Sequence, residues 1–370
     1  MRIKNIGKYL CLISFVCIAM LLNIYAYSDT SYKSARIVMD VRTGRILFRD
    51  NIYTKLPMAS TTKIMTALIA LENIPLNKKV TINPQAVGIE GSSIYLESKE
   101  KIKAIDLIYG LMLQSGNDAA TALAFEISGS TEAFVNLMNT KALKLGAKNT
   151  NFTNPHGLYN KDHYTTAYDL ALITREALKN PIFKKIVKSK YWLADRNGYK
   201  HFSNKNKILD LYTGGDGVKT GYTKASGRCL VASATKDNMQ FIAITLNDGD
   251  WFNTAINLLD RCFSEYKSHC VFNRGDPIKN IKIQKGSKTH LILEAADDLI
   301  LPMHMDKQER ILSVISGPDK LVAPITKGEK IGKISTYKNG ELINVTPLIA
   351  KENIATLKGH DRFLKFLKFK

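Results

Sequence analysis

The order of strand-like and helix-like segments constrains the fold of this 370-residue chain most strongly. An alternating β-branched run at 35–40, turn residues at 42–44 and an apolar run at 45–48 predict a β-hairpin. Helical periodicity follows at 61–71, 104–113, 118–127, 131–145 and 169–177. Beyond Gly214, strand-like runs occupy 217–223, 229–235 and 241–246, and a helical pattern occupies 254–263. We therefore expect an α+β domain whose antiparallel sheet is assembled from both ends of this segment.

The sequence pattern changes from about Phe272. Short strand candidates separated by Gly, Pro and Asp turns recur there, at 278–283, 289–293, 311–315, 330–337 and 341–348. No convincing helix interrupts them. This pattern is typical of a small β-sandwich, which we place over residues 273–350.

The N-terminal 28 residues resemble an export signal. Arg2, Lys4 and Lys8 precede the apolar run 9–22, and small residues at 26 and 28 offer a cleavage site after Ser28. The alternative is an uncleaved anchor, but the run is short of the ~20 residues that span a membrane. No other long apolar run exists, which excludes a multi-span membrane protein. We expect an exported protein.

The last segment, 351–370, is a tail in which residues 357–370 predict a basic amphipathic helix. Its apolar face contains Leu357, Phe363, Leu364, Phe366 and Leu367, and its other face is mostly basic. Such a helix favours an anionic membrane surface. The alternative is a terminal helix docked on the sandwich.

The formal net charge of +20 fits an anionic wall or membrane surface, although most of these lysines are expected to be solvated. No recognisable nucleic-acid-binding module is present, so we expect no nucleic-acid partner. Beyond the signal the cysteines are Cys229, Cys262 and Cys270, without metal-ligand spacing. A Cys262–Cys270 bridge is an alternative, but three small buried residues is the preferred interpretation.

Ser60 and Lys63 form an S-x-x-K motif at the predicted start of a helix. Residues three apart share a helix face, so we expect the Lys63 amine beside the Ser60 hydroxyl. A serine needs a base to become a nucleophile, and lysine can serve if burial and neighbouring cations leave it neutral. Backbone N–H groups at the helix start would face an oxyanion. Alone, the motif is a weak signal.

Two further motifs follow, S-G-N at 115–117 between two predicted helices and K-T-G at 219–221 in a predicted strand. Ser115 could relay a proton, and Asn117 offers a donor and an acceptor to a substrate amide. Lys219 and Thr220 offer a cation and a hydroxyl to a carboxylate. Gly221 leaves room for a substrate backbone along the strand.

Together, in this order and context, the three motifs resemble those of the penicillin-recognising serine enzymes. More specifically, the chain is similar to low-molecular-weight penicillin-binding proteins of the D-alanyl-D-alanine carboxypeptidase family. The likeness covers nearly the whole chain and includes the segments LPMA at 56–59, NPHGL at 154–158 and TAYDLA at 166–171. It implies a β-lactamase/transpeptidase-like catalytic domain over residues 29–272, which uses neither metal nor cofactor.

The resemblance implies removal of the terminal D-alanine from peptidoglycan pentapeptides, with β-lactams as covalent inhibitors. Ser60 would be the acylated nucleophile, with Lys63 as its base and Ser115 as a proton shuttle. The backbone N–H groups of Ser60 and Tyr222 would form the oxyanion hole.

The implied binding residues are Asn117 for the peptide and Lys219 and Thr220, beside Gly221, for the terminal carboxylate. His156 and Asp169 match a loop near the family's site and are accessory candidates.

Three departures put the carboxylate contact in question. Tyr222 stands where carboxypeptidases often have His, and Asp250-Trp251 stands where an Arg often lies. Lys205 occupies a position where another Arg can occur. The Asp-Trp pair resembles members associated with sporulation.

Three alternative functions remain open from the sequence. A class A β-lactamase would need a deacylating Glu; Glu132 and Asn136 imitate its spacing but are interpreted as helix surface. A D,D-endopeptidase would share all three motifs. A non-catalytic wall-binding protein is disfavoured because the nucleophile and base are intact.

Overall fold

The computed structural model describes residues 33–357. The predicted signal peptide and the predicted tail beyond Leu357 lie outside the described residues. The helices are α1 (Lys63–Asn73), α2 (Ala104–Tyr109), α3 (Asn117–Ser128), α4 (Thr131–Lys144), α5 (Ala167–Ala177), α6 (Pro181–Lys188), α7 (Ile208–Leu211) and α8 (Trp251–Glu265). Within the described part of the chain, none of the helices is both long and apolar enough to span a bilayer.

The strands of the first domain are β1 (Ala35–Asp40), β2 (Ile46–Asp50), β3 (Lys79–Thr81), β4 (Lys101–Lys103), β5 (Tyr191–Leu193), β6 (His201–Ser203), β7 (Gly215–Thr223), β8 (Gly227–Lys236) and β9 (Met239–Leu246). Five of them form an antiparallel sheet in the order β2-β1-β9-β8-β7. The sheet is thus built from both ends of the segment, as predicted, and β7 lies at its edge.

Alternation along the strands supplies both faces of this sheet with apolar side chains. Ile37, Met39 and Ile244 pack into the large core with the helices of the middle segment. Val38 and Ala243 point to the other face, where α8 covers them. The period of two along a strand therefore produces a three-layer domain with the sheet in the middle.

The second part of the chain is all-β, as predicted. Its strands are β10 (Tyr266–Phe272), β11 (Pro277–Gln284), β12 (His290–Ala295), β13 (Leu299–His304), β14 (Ile311–Ser316), β15 (Lys320–Val322), β16 (Lys330–Lys338) and β17 (Glu341–Ala350). Six of these strands form one sheet, β10 and β13 form another, and both contribute to one apolar core. Strand β10 precedes the boundary that we predicted after residue 272, and its hydrogen bonds join it to β13.

The expectation of three buried cysteines is wrong for one of them. Cys229 and Cys262 are buried, whereas Cys270 is exposed. Cys270 lies in β10, where four consecutive residues are exposed, and its thiol contacts the Asn273 side chain. Cys262 and Cys270 are both free thiols.

A buried carboxylate ties the two domains together. Arg45, immediately before β2, donates to both carboxylate oxygens of Glu309, at 3.1 and 2.5 Å. Lys338 from β16 lies 2.8 Å from the same carboxylate. Arg45 also donates to the carbonyl oxygen of Pro302 and stacks over the Tyr266 ring.

Candidate active site

Ser60 lies in a single 3-10 turn, Ala59–Thr62, which leads directly into α1. Lys63 is the first residue of α1, and its Nζ lies 3.0 Å from the Ser60 Oγ. Ala59 adopts a left-handed backbone with φ 47°. Strain of this kind in a non-glycine residue is common beside functional groups. The predicted juxtaposition of hydroxyl and amine is therefore present.

The surroundings of Lys63 favour its neutral form. The side chain is fully buried, and burial together with the charges of Lys219 and Lys205 holds the pKa of Lys63 well below its ordinary value. Its Nζ also lies 2.7 Å from the Asn117 Oδ1 and 2.6 Å from the His156 carbonyl oxygen. A neutral amine has two hydrogens, which these two acceptors occupy. Its lone pair is then left for the Ser60 hydroxyl.

The second motif lies between two helices, as predicted. A π-helical turn, Gly110–Gln114, ends at Ser115, which is buried and left-handed with φ 65°. No hydrogen bond engages the Ser115 hydroxyl within residues 33–357. Asn117 begins α3, and its amide nitrogen donates to the Glu90 carbonyl oxygen. One amide hydrogen of Asn117 is left for a ligand.

The third motif lies on the edge strand β7, against the turn that carries the nucleophile. A side-chain carbon at Gly221 would stand 2.8 Å from the Ser60 backbone nitrogen, so only glycine permits this approach. The Lys219 Nζ donates to the Thr220 carbonyl oxygen at 2.9 Å. Burial, with the charge of Lys205, lowers the pKa of Lys219 to about 7. The exposed Tyr222 follows on the same strand.

Lys205 is the third lysine of this region. Its Nζ lies 3.4 Å from the Ser92 Oγ, and burial lowers its pKa. The charge of Lys205 lowers the pKa values of both Lys63 and Lys219. The sequence position where a family Arg can occur thus holds a cation that acts electrostatically on the motif lysines.

His156 contributes to the site through its backbone. Its carbonyl oxygen accepts from Lys63, while its Nδ1 accepts from the Leu158 N–H at 3.2 Å. Burial and the charge of Lys63 lower the pKa of His156 to about 3, so the ring is neutral at physiological pH. The carboxylate of Asp169 accepts from the Asn149 N–H and the Thr150 hydroxyl. Its hydrogen bonds reach none of the three motifs.

Two supporting residues escaped the sequence analysis. The buried Asp118 accepts hydrogen bonds from Ser93, Ile94 and Leu96 and so fastens the loop beside Asn117. Its only sequence signal is its place in the first turn of a predicted helix. His163 is buried, contacts the Thr62 hydroxyl at 2.8 Å and gave no signal.

One observation bears on the β-lactamase alternative. Glu132 and Asn136 are exposed on α4, as predicted, and so do not supply the glutamate of a class A β-lactamase. Among residues 33–357, no three His, Cys, Asp or Glu side chains are grouped closely enough to hold a metal ion.

A serine hydroxyl beside a buried amine of lowered pKa, next to the edge strand β7, is the arrangement typical of serine enzymes that form an acyl intermediate. Comparison with known proteins agrees. The family model described as D-alanyl-D-alanine carboxypeptidase matches residues 26–250, and that of the penicillin-binding protein 5 C-terminal domain matches residues 266–356.

Relatives of known name extend this agreement over most of the chain. D-alanyl-D-alanine carboxypeptidase DacF of Bacillus subtilis is 35% identical over 347 residues, which cover 91% of this chain and 88% of the relative. DacC of Escherichia coli is 33% identical over 338 residues, covering 86% of this chain and 84% of DacC. The crystal structure of penicillin-binding protein 5 from Haemophilus influenzae superposes with a TM-score of 0.66 at 31% identity, covering 87% of this chain and 97% of that one.

The chain belongs to the D-alanyl-D-alanine carboxypeptidase family, and is thus a low-molecular-weight penicillin-binding protein. The structure has the penicillin-binding transpeptidase-like fold followed by the family's C-terminal β domain. The expected serine carboxypeptidase activity is confirmed at the level of the family. The endopeptidase and β-lactamase alternatives are not favoured.

Proposed function

We propose that Ser60 carries the acyl intermediate and that Lys63 is its base. The observation that carries this assignment is the contact of Lys63 with Ser60. The amine is buried, its pKa is lowered, and two carbonyl oxygens occupy its hydrogens. General-base assistance of this kind typically contributes ~10²–10⁴-fold to the rate.

The reaction has two steps. In the first, the Ser60 oxygen attacks the carbonyl carbon between the two terminal D-alanines, and Lys63 takes the hydroxyl proton. The N–H groups of Ser60 and Tyr222 would stabilise the oxyanion. Ser115, whose hydroxyl has no hydrogen bond within residues 33–357, passes the proton to the leaving amine, and D-alanine departs. In the second, water hydrolyses the Ser60 ester and restores the free enzyme.

The open edge of β7 is the binding surface proposed for the stem peptide. An extended peptide can pair with the unpaired backbone groups of an edge strand. Asn117 has one amide hydrogen for the peptide. The free carboxylate would lie near Thr220 and Lys219, with Gly221 leaving room for the backbone. His156 positions Lys63 through its carbonyl oxygen, and Asp169 supports a neighbouring loop.

Product analysis tests this function. The protein would be incubated with a pentapeptide muropeptide and, separately, with a cross-linked dimer. We expect loss of one D-alanine from the pentapeptide and little cleavage of the dimer. Dimer cleavage at an equal or greater rate would favour the D,D-endopeptidase. A radiolabelled or fluorescent penicillin should label the wild type and not Ser60→Ala.

We also propose that the protein is exported, that residues 1–28 are its signal peptide, and that its tail binds an anionic membrane. The catalytic domain would span 29–272, the β-sandwich 273–350, and the tail 351–370. The last 20 residues carry a net charge of +4 and the apolar face described above. Basic residues near an anionic surface contribute ~1 kcal/mol each. The β-sandwich would act as a stalk between membrane and wall.

Vesicle sedimentation tests the tail. A chain ending at Leu357 keeps the contact of the Leu357 N–H with the Lys285 carbonyl oxygen, so the β-sandwich should remain intact. The chain that includes the tail should sediment with anionic vesicles and be partly released by high salt, whereas the shortened chain should stay in solution and still bind penicillin. Equal sedimentation of both chains would favour the docked-helix alternative.

A further inference from the structure

Arg228 lies beside the third motif, on the strand that neighbours it. Strands β7 and β8 are antiparallel, and Tyr222 pairs with Arg228. Directly opposed residues point to the same face of a sheet, and so do residues two apart on one strand. Thr220, Tyr222 and Arg228 therefore share a face. The diagonal from Thr220 to Arg228 is about 7–8 Å, which a long side chain can cover.

The guanidinium of Arg228 is held in place without being neutralised. One of its nitrogens donates to the Gly249 carbonyl oxygen at 2.8 Å, and its central carbon lies 6.0 Å above the Trp251 ring. The nearby carboxylate of Asp248 forms an ion pair with Arg36 at 2.6 Å. Within residues 33–357, Arg228 forms no ion pair. It is exposed and keeps N–H donors for a ligand.

The motif residues by themselves leave an anionic ligand with little permanent positive charge. Burial and neighbouring cations hold the pKa of Lys63 well below its ordinary value, and Lys219, with its pKa lowered to about 7, is only partly protonated at neutral pH. The Lys219 amine is also buried and directed at the Thr220 carbonyl oxygen. Arginine stays charged at all physiological pH values, and its planar fork matches the two oxygens of a carboxylate.

We propose that Arg228 binds the free α-carboxylate at the end of the substrate peptide and thereby selects peptides that end there. The proposal rests on the proposed function, because it takes the peptide to lie along β7 with its end near Thr220. Arg228 is then a specificity residue, and Trp251 and Gly249 position it.

The test compares two substrates that differ only at this carboxylate. One is a diacyl-L-lysyl-D-alanyl-D-alanine peptide, and the other is its C-terminal methyl ester. For Arg228→Gln we expect kcat/KM on the free acid to fall about 10- to 100-fold, mainly through KM, the loss typical of a charge-assisted contact. On the ester, kcat/KM should stay within about twofold. Arg261→Gln, which removes an arginine paired with Glu265 on α8, is the matched control and should change neither.

If Arg228→Gln lowers kcat/KM equally on the acid and the ester, so that the acid-to-ester ratio of kcat/KM is unchanged, the proposal is overturned. Arg228→Lys keeps the positive charge but lacks the planar guanidinium, so the acid-to-ester ratio of kcat/KM should fall severalfold, less than in Arg228→Gln. If Arg228→Gln does not fold, Arg228→Lys is the variant that tests the proposal. Failure of the proposed function looks different. In that case wild-type protein would not be acylated at Ser60 by saturating penicillin, whereas failure of the Arg228 proposal leaves that acylation intact.

Discussion

The backbone at Gly157 approaches Ala59 so closely that a side-chain carbon on Gly157 would lie 2.0 Å from the Ala59 carbonyl oxygen. Gly157 has φ +94° and follows His156, whose carbonyl oxygen binds Lys63. This one contact therefore links the turn of the nucleophile to the loop that positions the base.

Gly157→Ala should lower the rate of acylation by penicillin by at least about tenfold, because the loop must move and carry the His156 carbonyl oxygen away from Lys63. Left-handed strain adds about 1–2 kcal/mol of destabilisation. Gly129→Ala is the matched control, since Gly129 also has positive φ but open space around it. It should cost stability alone, and similar acylation rates for the two variants would contradict the account.

The charge of Lys219 should set the lower pH limit of acylation. Its positive charge lowers the pKa of Lys63, so Lys219→Gln should raise that pKa and reduce the neutral fraction of the base. The acid limb of the acylation rate should then move to higher pH. Lys205→Gln should move it in the same direction. If the acid limb of the acylation rate stays in place or moves to lower pH in these variants, the charges of Lys219 and Lys205 do not lower the pKa of Lys63.

The two buried histidines should remain neutral through the physiological range. Burial lowers the pKa of His156 to about 3 and that of His163 to about 4. Because these values lie below the unfolded value of ~6.5, their contribution to stability is present above pH ~6.5 and is lost as pH falls towards 4. NMR should show no imidazole titration above pH 5 for either residue. A midpoint near 6.5 would refute the burial argument.

Glu309 should stabilise the contact between the domains without affecting catalysis. Burial alone would raise its pKa, but hydrogen bonds from Lys338 and Arg45 outweigh burial and hold the pKa below its ordinary value. Glu309→Gln should lower the free energy of unfolding by about 1–3 kcal/mol. Asp319→Asn, at an exposed ion pair, should lower the free energy of unfolding much less, because water screens that pair. Penicillin acylation should be unchanged in both, and a slower rate in Glu309→Gln would mean that the domain contact reaches the site.

The strands of the main sheet, and the helix or strand on which each motif lies, could be predicted because they depend on the pattern of neighbouring residues. β-branched alternation predicts β1, β7, β8 and β9, and helical periodicity predicts α1 and α3. Helix α6 was missed although Asn180 and Pro181 mark its start, whereas several other missed elements have weak local signals. Strands β5 and β6 have three residues each, and β13 contains Pro302.

The partners in the site could not be predicted in the same way. Lys63 donates to the backbone carbonyl oxygen of His156, and Asn117 donates to that of Glu90. Every residue type has a backbone carbonyl, so the sequence does not indicate which residue supplies such an acceptor. Arg228 became a candidate only when the register of β7 and β8 placed it opposite Tyr222. The burial of individual side chains was equally hard to predict, as the exposed Cys270 shows.

Intact-mass spectrometry after a short reaction with penicillin tests the central claim, that Ser60 is the nucleophile and Lys63 its base. Wild-type protein should gain one adduct, which peptide mapping places on Ser60. Lys63→Ala should gain it ~10²–10⁴-fold more slowly, because the hydroxyl loses its base. Ser60→Ala should gain none. An adduct of equal yield on Ser60→Ala would contradict the account.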